Sequence, residues 1–175
     1  MAATTASDRP PGELWRRALS DPCLRDLPFK IETNAYGQLV MSPHKPLYSL
    51  LQSAIADLLK ELAPNAGLPA GKAATEFAVA TAEGIKVPDV IWISEERLRD
   101  LPADAEASPV MPELVVEVLS KSNPAAEMEE KRRLYFDTGA REVWTCSAER
   151  RLTFYTPEGE AAASRMIPSF PRTIS

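Results

Sequence analysis

Val87-Pro88-Asp89-Val90-Ile91-Trp92-Ile93 and Pro112-Glu113-Leu114-Val115-Val116-Glu117-Val118-Leu119-Ser120 are two apolar runs of strand type that carry acidic residues where hydrophobic patterning would not place them. A carboxylate at the rim of a strand suited to burial costs free energy unless it is paired or binds a metal. Two such carboxylates on neighbouring strands supply what a divalent-metal site needs, and a site of that kind fits phosphodiester chemistry. The second run is nearly continuous and rich in Val, which predicts a central strand. By alternation Glu113, Val115, Glu117 and Leu119 share one face, and Leu114, Val116 and Val118 the other.

Outward from these runs, the chain alternates strand and helix signals. Glu13 to Leu19 reads as a short helix. Phe29 to Glu32 and Gln38 to Met41 flank Asn34-Ala35-Tyr36-Gly37, a hairpin pattern. Leu47, Leu50, Leu51, Ile55, Leu58, Leu59 and Leu62 form a helical stripe that Pro64 to Gly67 ends. Thr75 to Thr81 and Ile85 to Ile93 are expected as two strands, with a polar connection and one helical turn over Ser94 to Asp104. Ser122-Asn123-Pro124 opens a second long helix that stops at Gly139. Arg141 to Cys146 and Arg151 to Tyr155 follow as strands, with an edge strand expected around Ala161 to Met166. The order predicts an α/β (α+β) fold, a mixed central β-sheet flanked by helices.

A chain of 175 residues suits one domain, expected over 13–175. No apolar run approaches the roughly 20 residues of a membrane helix. Residues 1–12 lack the basic start and apolar centre of a signal peptide, so a short disordered tail on a cytoplasmic protein is expected. Cys23 and Cys146 have no metal-type spacing and read as buried thiols. The net charge of −5 argues against strong non-specific nucleic-acid binding, although a local groove can be basic and bound metal adds positive charge.

Each candidate residue has a plainer reading beside the chemical one. Asp89 follows a proline and could be a strand-start carboxylate facing water. Glu117 could form a structural ion pair with an arginine. Met128, Lys131 and Tyr135 share one side of their helix, with Arg132 at its edge, so Lys131 could reach a metal site and neutralise charge on a phosphate. Equally, Lys131 could be solvated and paired with Glu127 four residues before it. Glu32 reads as a surface strand residue, with a supplementary ligand role as the alternative. His44, in a proline-rich turn, reads as a surface residue. Trp92 and Trp144 read as packing residues.

As an ordered set these residues resemble the Uma family of restriction endonucleases, within the PD-(D/E)XK nuclease superfamily. The matching pieces are Glu32 with Gly37, Ser42-Pro43, Pro88-Asp89-Val90, the run from Pro112 to Ser120, Lys131 to Tyr135, and Gly139-Ala140-Arg141-Glu142-Val143-Trp144. The resemblance implies a restriction-endonuclease-like core of helix, three strands, helix and strand. It implies that Asp89 and Glu117 hold Mg²⁺ or Mn²⁺ and that Lys131 completes the catalytic set. The usual superfamily pattern has a lysine two residues after the glutamate; here that position is Leu119. A histidine common near this point of the first helix is replaced by Tyr48.

The expected function is metal-dependent endonucleolytic hydrolysis of DNA. A backbone carbonyl near Val118 would complete the metal shell, and Glu113 would either assist or mark the solvent end of its strand. Analogy of fold points to a homodimer. The main alternative is a catalytically inactive nuclease-fold binding or assembly module, which the acidity, Leu119 and Tyr48 favour. A hydrolase acting on another phosphate substrate is a third reading.

Overall fold

The computed structural model describes residues 11–24, 26–43, 45–120 and 124–175. The tail expected over 1–12 therefore falls, up to residue 10, outside the described residues. So do His44 and the Ser122-Asn123 helix start.

The elements are α1 (Pro11–Ser20), β1 (Phe29–Thr33), β2 (Leu39–Pro43), α2 (Pro46–Leu62), β3 (Gly71–Thr75), β4 (Val79–Thr81), β5 (Gly84–Lys86), β6 (Val90–Ser94), α3 (Glu95–Leu98), β7 (Leu114–Val118), α4 (Ala125–Thr138), β8 (Glu142–Cys146), β9 (Leu152–Thr156) and β10 (Gly159–Ala161). Six strands form one mixed sheet in the order β10-β9-β8-β7-β6-β3. β7 and β8 run parallel, joined by the crossover helix α4, and the other pairs are antiparallel. The Val-rich run thus lies inside the sheet, as its composition predicts.

Alternation along β7 builds the core on both faces. Leu114, Val116 and Val118 pack with Leu51, Ile55 and Leu59 of α2 and with Trp92, Trp144 and Phe154. Val115 points the other way, to Ile91, Ile93, Val143 and Tyr135 of α4. The apolar stripe of α2 and the Met128–Tyr135 side of α4 are therefore the surfaces that close the two faces.

A smaller core holds the N-terminal hairpin in place. Trp15 and Ala18 of α1 pack on Ile31, Ile85 and Val87. The Trp15 indole donates to the Ile31 carbonyl at 2.9 Å, and the Ile85 amide donates to Thr33 Oγ1 at 2.7 Å. Gly84 permits this approach: its φ is +106°, and a Cβ there would lie 2.5 Å from Thr33 Oγ1. The docking fixes β1, and with it the side chains of Lys30 and Glu32.

Several expectations require correction. The two long strands expected over 75–93 give way to three short ones, β4, β5 and β6, with β3 ending at Thr75. Glu76, with φ of +51°, ends β3, and Pro88, which has no N–H to donate, separates β5 from β6. β4 and β5 then form a separate two-stranded sheet, and Val79 of β4 also bridges Ser108. The edge strand stops at Ala161, because Glu142 draws the next segment into turns. Its carboxylate accepts from the Arg165 and Met166 amides, from Ser164 Oγ and from the Trp144 indole. Those amides are then not available to a ladder. Of the two cysteines, Cys146 is buried and Cys23 exposed.

The Glu142 carboxylate is buried and satisfied by four donors. Glu142→Ala leaves those donors without an acceptor. We expect a loss of roughly 3–5 kcal/mol in urea unfolding, the scale for breaking a buried charged network. A loss below about 1 kcal/mol would show that the C-terminal segment is held by its apolar contacts alone.

Candidate active site

The sheet register brings the two sequence-predicted carboxylates together. The last β6–β7 pair at this end is Val90 opposite Val116. One step further along the antiparallel ladder, Asp89 comes opposite Glu117. Neither faces water freely: Asp89 is 6 % and Glu117 4 % exposed, so each must find a partner inside the protein.

The partners are lysines, not an arginine. Lys131 reaches down from α4, with Nζ 2.9 Å from Glu117 Oε1 and 2.9 Å from Glu32 Oε1. Lys30, from β1, lies with Nζ 2.7 Å from Asp89 Oδ1 and 3.8 Å from Glu117 Oε2. The groups alternate in sign along one line: Glu32, Lys131, Glu117, Lys30, Asp89. Lys131, with its side chain 12% exposed, is thus a member of this line rather than a solvated partner of Glu127. Glu32 is also buried, and it accepts from the Val87 amide at 2.8 Å; it is not a surface residue.

Neutral donors fix the two carboxylates. Asp89 accepts from Gln52 Nε2 of α2 at 3.0 Å and, through Oδ2, from the Val118 amide at 2.7 Å. Glu117 accepts from the Tyr135 hydroxyl of α4. A cavity of about 270 Å³ opens against Asp89, Glu117 and Lys131, and Tyr48, Gln52 and Leu119 also line it. Leu119 and Lys131 therefore face the same space from different elements.

Other candidates lie elsewhere. Glu113 is at the opposite end of β7. It is buried, accepts from the Ser94 amide and hydroxyl, and meets Arg97 Nε at 3.2 Å. It neither assists the site nor marks a solvent end. Arg132 stacks on Tyr155, 4.0 Å from the ring centre. Sequence reasoning missed Lys30 and Gln52. The signal for Lys30 was its place two residues before Glu32, hence on the same strand face. Gln52 sits among leucines and gives no comparable signal.

The charge line sets the protonation of its members. Burial would lower the pKa of Lys131, but the Glu117 and Glu32 carboxylates outweigh it and hold the ammonium protonated well above the usual lysine range. For Lys30, burial is again the largest single influence and lowers the pKa, yet Glu117 and Asp89 together leave it raised. Burial raises the Tyr135 hydroxyl far above its usual value, and Glu117 adds to this.

All three groups thus hold their protons more tightly folded than unfolded. The stability they contribute is complete below the unfolded values near 10, and it falls as pH rises above them. Urea unfolding should show wild-type stability dropping between about pH 10 and about pH 12. Glu117→Gln, lacking the charge that raises all three, should lose less over that interval. An equal loss in both proteins would place the alkaline sensitivity outside this cluster.

Among solved structures, the chain is similar to a protein from Anabaena variabilis ATCC 29413 described as "a putative nuclease belonging to DUF820". The two share 14% identity and superpose with a TM-score of 0.66 over 82% of this chain and 86% of that one. At that identity the likeness is one of fold. No curated protein matches the sequence. The family model Uma2, described as "Putative restriction endonuclease", matches residues 22–174. That span takes in every member of the charge line and both helices packed on the sheet, and by it the chain belongs to the Uma2 family.

Proposed function

We propose that the protein is a metal-dependent endonuclease hydrolysing phosphodiester bonds in DNA, with Asp89 and Glu117 as metal ligands and Lys131 as the catalytic lysine. The observation that carries this reading is the meeting of Asp89 and Glu117 across the β6–β7 register, beside Lys131 and at the wall of a cavity. Membership of a family described as restriction endonucleases supports it.

The residues fit a small hard cation. A single positive group, the Lys30 ammonium, already lies within 4 Å of both carboxylates. Both ligands are oxygens, which favours Mg²⁺ or Mn²⁺ over softer ions. Among the described residues no group of three or more His, Cys, Asp or Glu forms a metal cage. Two carboxylates suit Mg²⁺, which commonly takes one or two and leaves the remaining positions to water and substrate phosphate. The Val118 carbonyl would be a further ligand.

When bound, such a cation supplies positive charge to the phosphoryl oxygens and makes water a stronger nucleophile near neutral pH. The chain's own residues do the rest. The Val118 amide and Gln52 hold Asp89 in one orientation, and the Tyr135 hydroxyl holds Glu117. Lys131, permanently charged and tied to Glu32, orients the attacking water and offsets the negative charge that builds on the phosphate. Water oxygen bonds to phosphorus and gives up a proton to solvent, one phosphorus–oxygen ester bond breaks, and the departing oxygen takes up a proton from solvent.

The competing reading is a nuclease-fold binding module without activity. The observation favouring it is that both carboxylates are already neutralised by lysines. Incubation of plasmid and single-stranded DNA with Mg²⁺ or Mn²⁺ separates the two. Wild-type protein should cleave only with metal. Asp89→Asn and Glu117→Gln should abolish cleavage while folding normally, and Lys131→Met should reduce it by roughly 10²-fold or more. DNA binding without cleavage by the wild type, under every metal condition, would establish the binding module.

A further inference from the structure

Two lysines meet Glu117, and the mechanism above uses only one of them. Lys131 has its place between Glu32 and Glu117. Lys30 is in the gap between Glu117 and Asp89, where the cation itself would bind. Its side chain is only 13% exposed, so it is not a surface lysine folded over by chance. Charges of the same sign a few ångströms apart in a poorly solvated site repel strongly. An ammonium and a divalent cation cannot both occupy that gap.

We propose that Lys30 is a built-in competitor for the divalent cation. Without metal its ammonium neutralises the Asp89–Glu117 pair, and metal binding must displace it. The inference rests on the metal-dependent reading and adds the group that sets cation affinity. Without a counter-charge, two buried carboxylates facing each other across the β6–β7 register would destabilise the folded chain. Lys30 removes that cost and lets the site form before any cation arrives. Its chemistry suits displacement. An ammonium is a point charge on a flexible four-carbon stem, without the two-pronged grip of a guanidinium, so it can leave with no backbone movement.

Lys30 also lines the cavity at the site. That cavity is where the displaced ammonium would turn, and a substrate phosphate there would give it a new partner. Metal and phosphate would then strengthen each other's binding, since each removes what opposes the other. In free protein, cation affinity is held down by the lysine.

Calorimetric titration with Mn²⁺ of the wild type, Lys30→Met and Lys30→Gln tests this. Both variants should bind Mn²⁺ at least about tenfold more tightly than wild type. Asp89→Asn should abolish binding in any background. Equal or weaker binding by both variants overturns the competitor role and leaves the metal site standing. No Mn²⁺ bound by wild type or variants overturns the metal reading, and this inference with it. Since Lys30→Met could fail to fold, the wild type provides an independent readout. Under limiting acetylation followed by mass spectrometry, Lys30 should be modified faster with Mn²⁺ than without. An unchanged rate on metal-saturated protein overturns the displacement.

Discussion

A line of five charges, three buried carboxylates and two lysines with little exposure, alternating in sign from Glu32 through Lys131, Glu117 and Lys30 to Asp89, governs how the elements of this protein come together. Taking any one of them out of water alone would cost several kcal/mol. Alternation makes the set tolerable, because every carboxylate faces at least one ammonium. The five groups come from β1, the turn before β6, β7 and α4. The apolar core could accept small shifts of these elements, but the charge line could not. A shift of one residue between β6 and β7 would turn Glu117 onto the α2 face, away from both lysines, leaving Lys131 with Glu32 alone and Lys30 with Asp89 alone.

Apart from Glu32, the buried carboxylates among the described residues are of two kinds, and the contrast marks the site. Glu142 accepts from neutral amides, a hydroxyl and an indole. Glu113 is held by Ser94 and an arginine. Both tie one segment to another and lie away from the cavity. Asp89 and Glu117 instead share the Lys30 ammonium and line open space. Oxygens with a replaceable cationic partner beside a cavity are available to a ligand; oxygens saturated by fixed donors are not. Burial alone does not distinguish the four.

The sequence showed what depends on period and composition. Val115, Val116 and Val118 announced an interior strand, the leucines from Leu47 to Leu62 a helix, and Gly139 its successor's stop. Asp89 and Glu117 stood out because they break an apolar run. Glu32 did not, because an acidic residue in a polar hairpin breaks no pattern; its burial follows from the docking of β1 on β5, a contact between segments some 50 positions apart. Lys30 was hidden for the same reason. The division of the segment over 75–93 was legible only in part: Pro88 is a visible interruption, but nothing about Glu76 as a residue type announces a positive φ.

The position of Lys131 has a consequence for how this site is held. A lysine two residues after Glu117 would be fixed by the strand itself, on the same face as Glu117. Here that position is Leu119, and the ammonium comes from a helix on the sheet. Its placement then depends on how α4 packs, and a helix can roll or slide where a strand in a ladder cannot. Two contacts answer this. Tyr135, one turn beyond Lys131, hydrogen-bonds Glu117 and ties the same helix face to β7. Glu32 holds the lysine from the opposite side. The freedom that a helix-borne lysine would otherwise have is removed by a tyrosine and a second carboxylate, so Glu32 and Tyr135 fix the geometry of the Lys131–Glu117 pair.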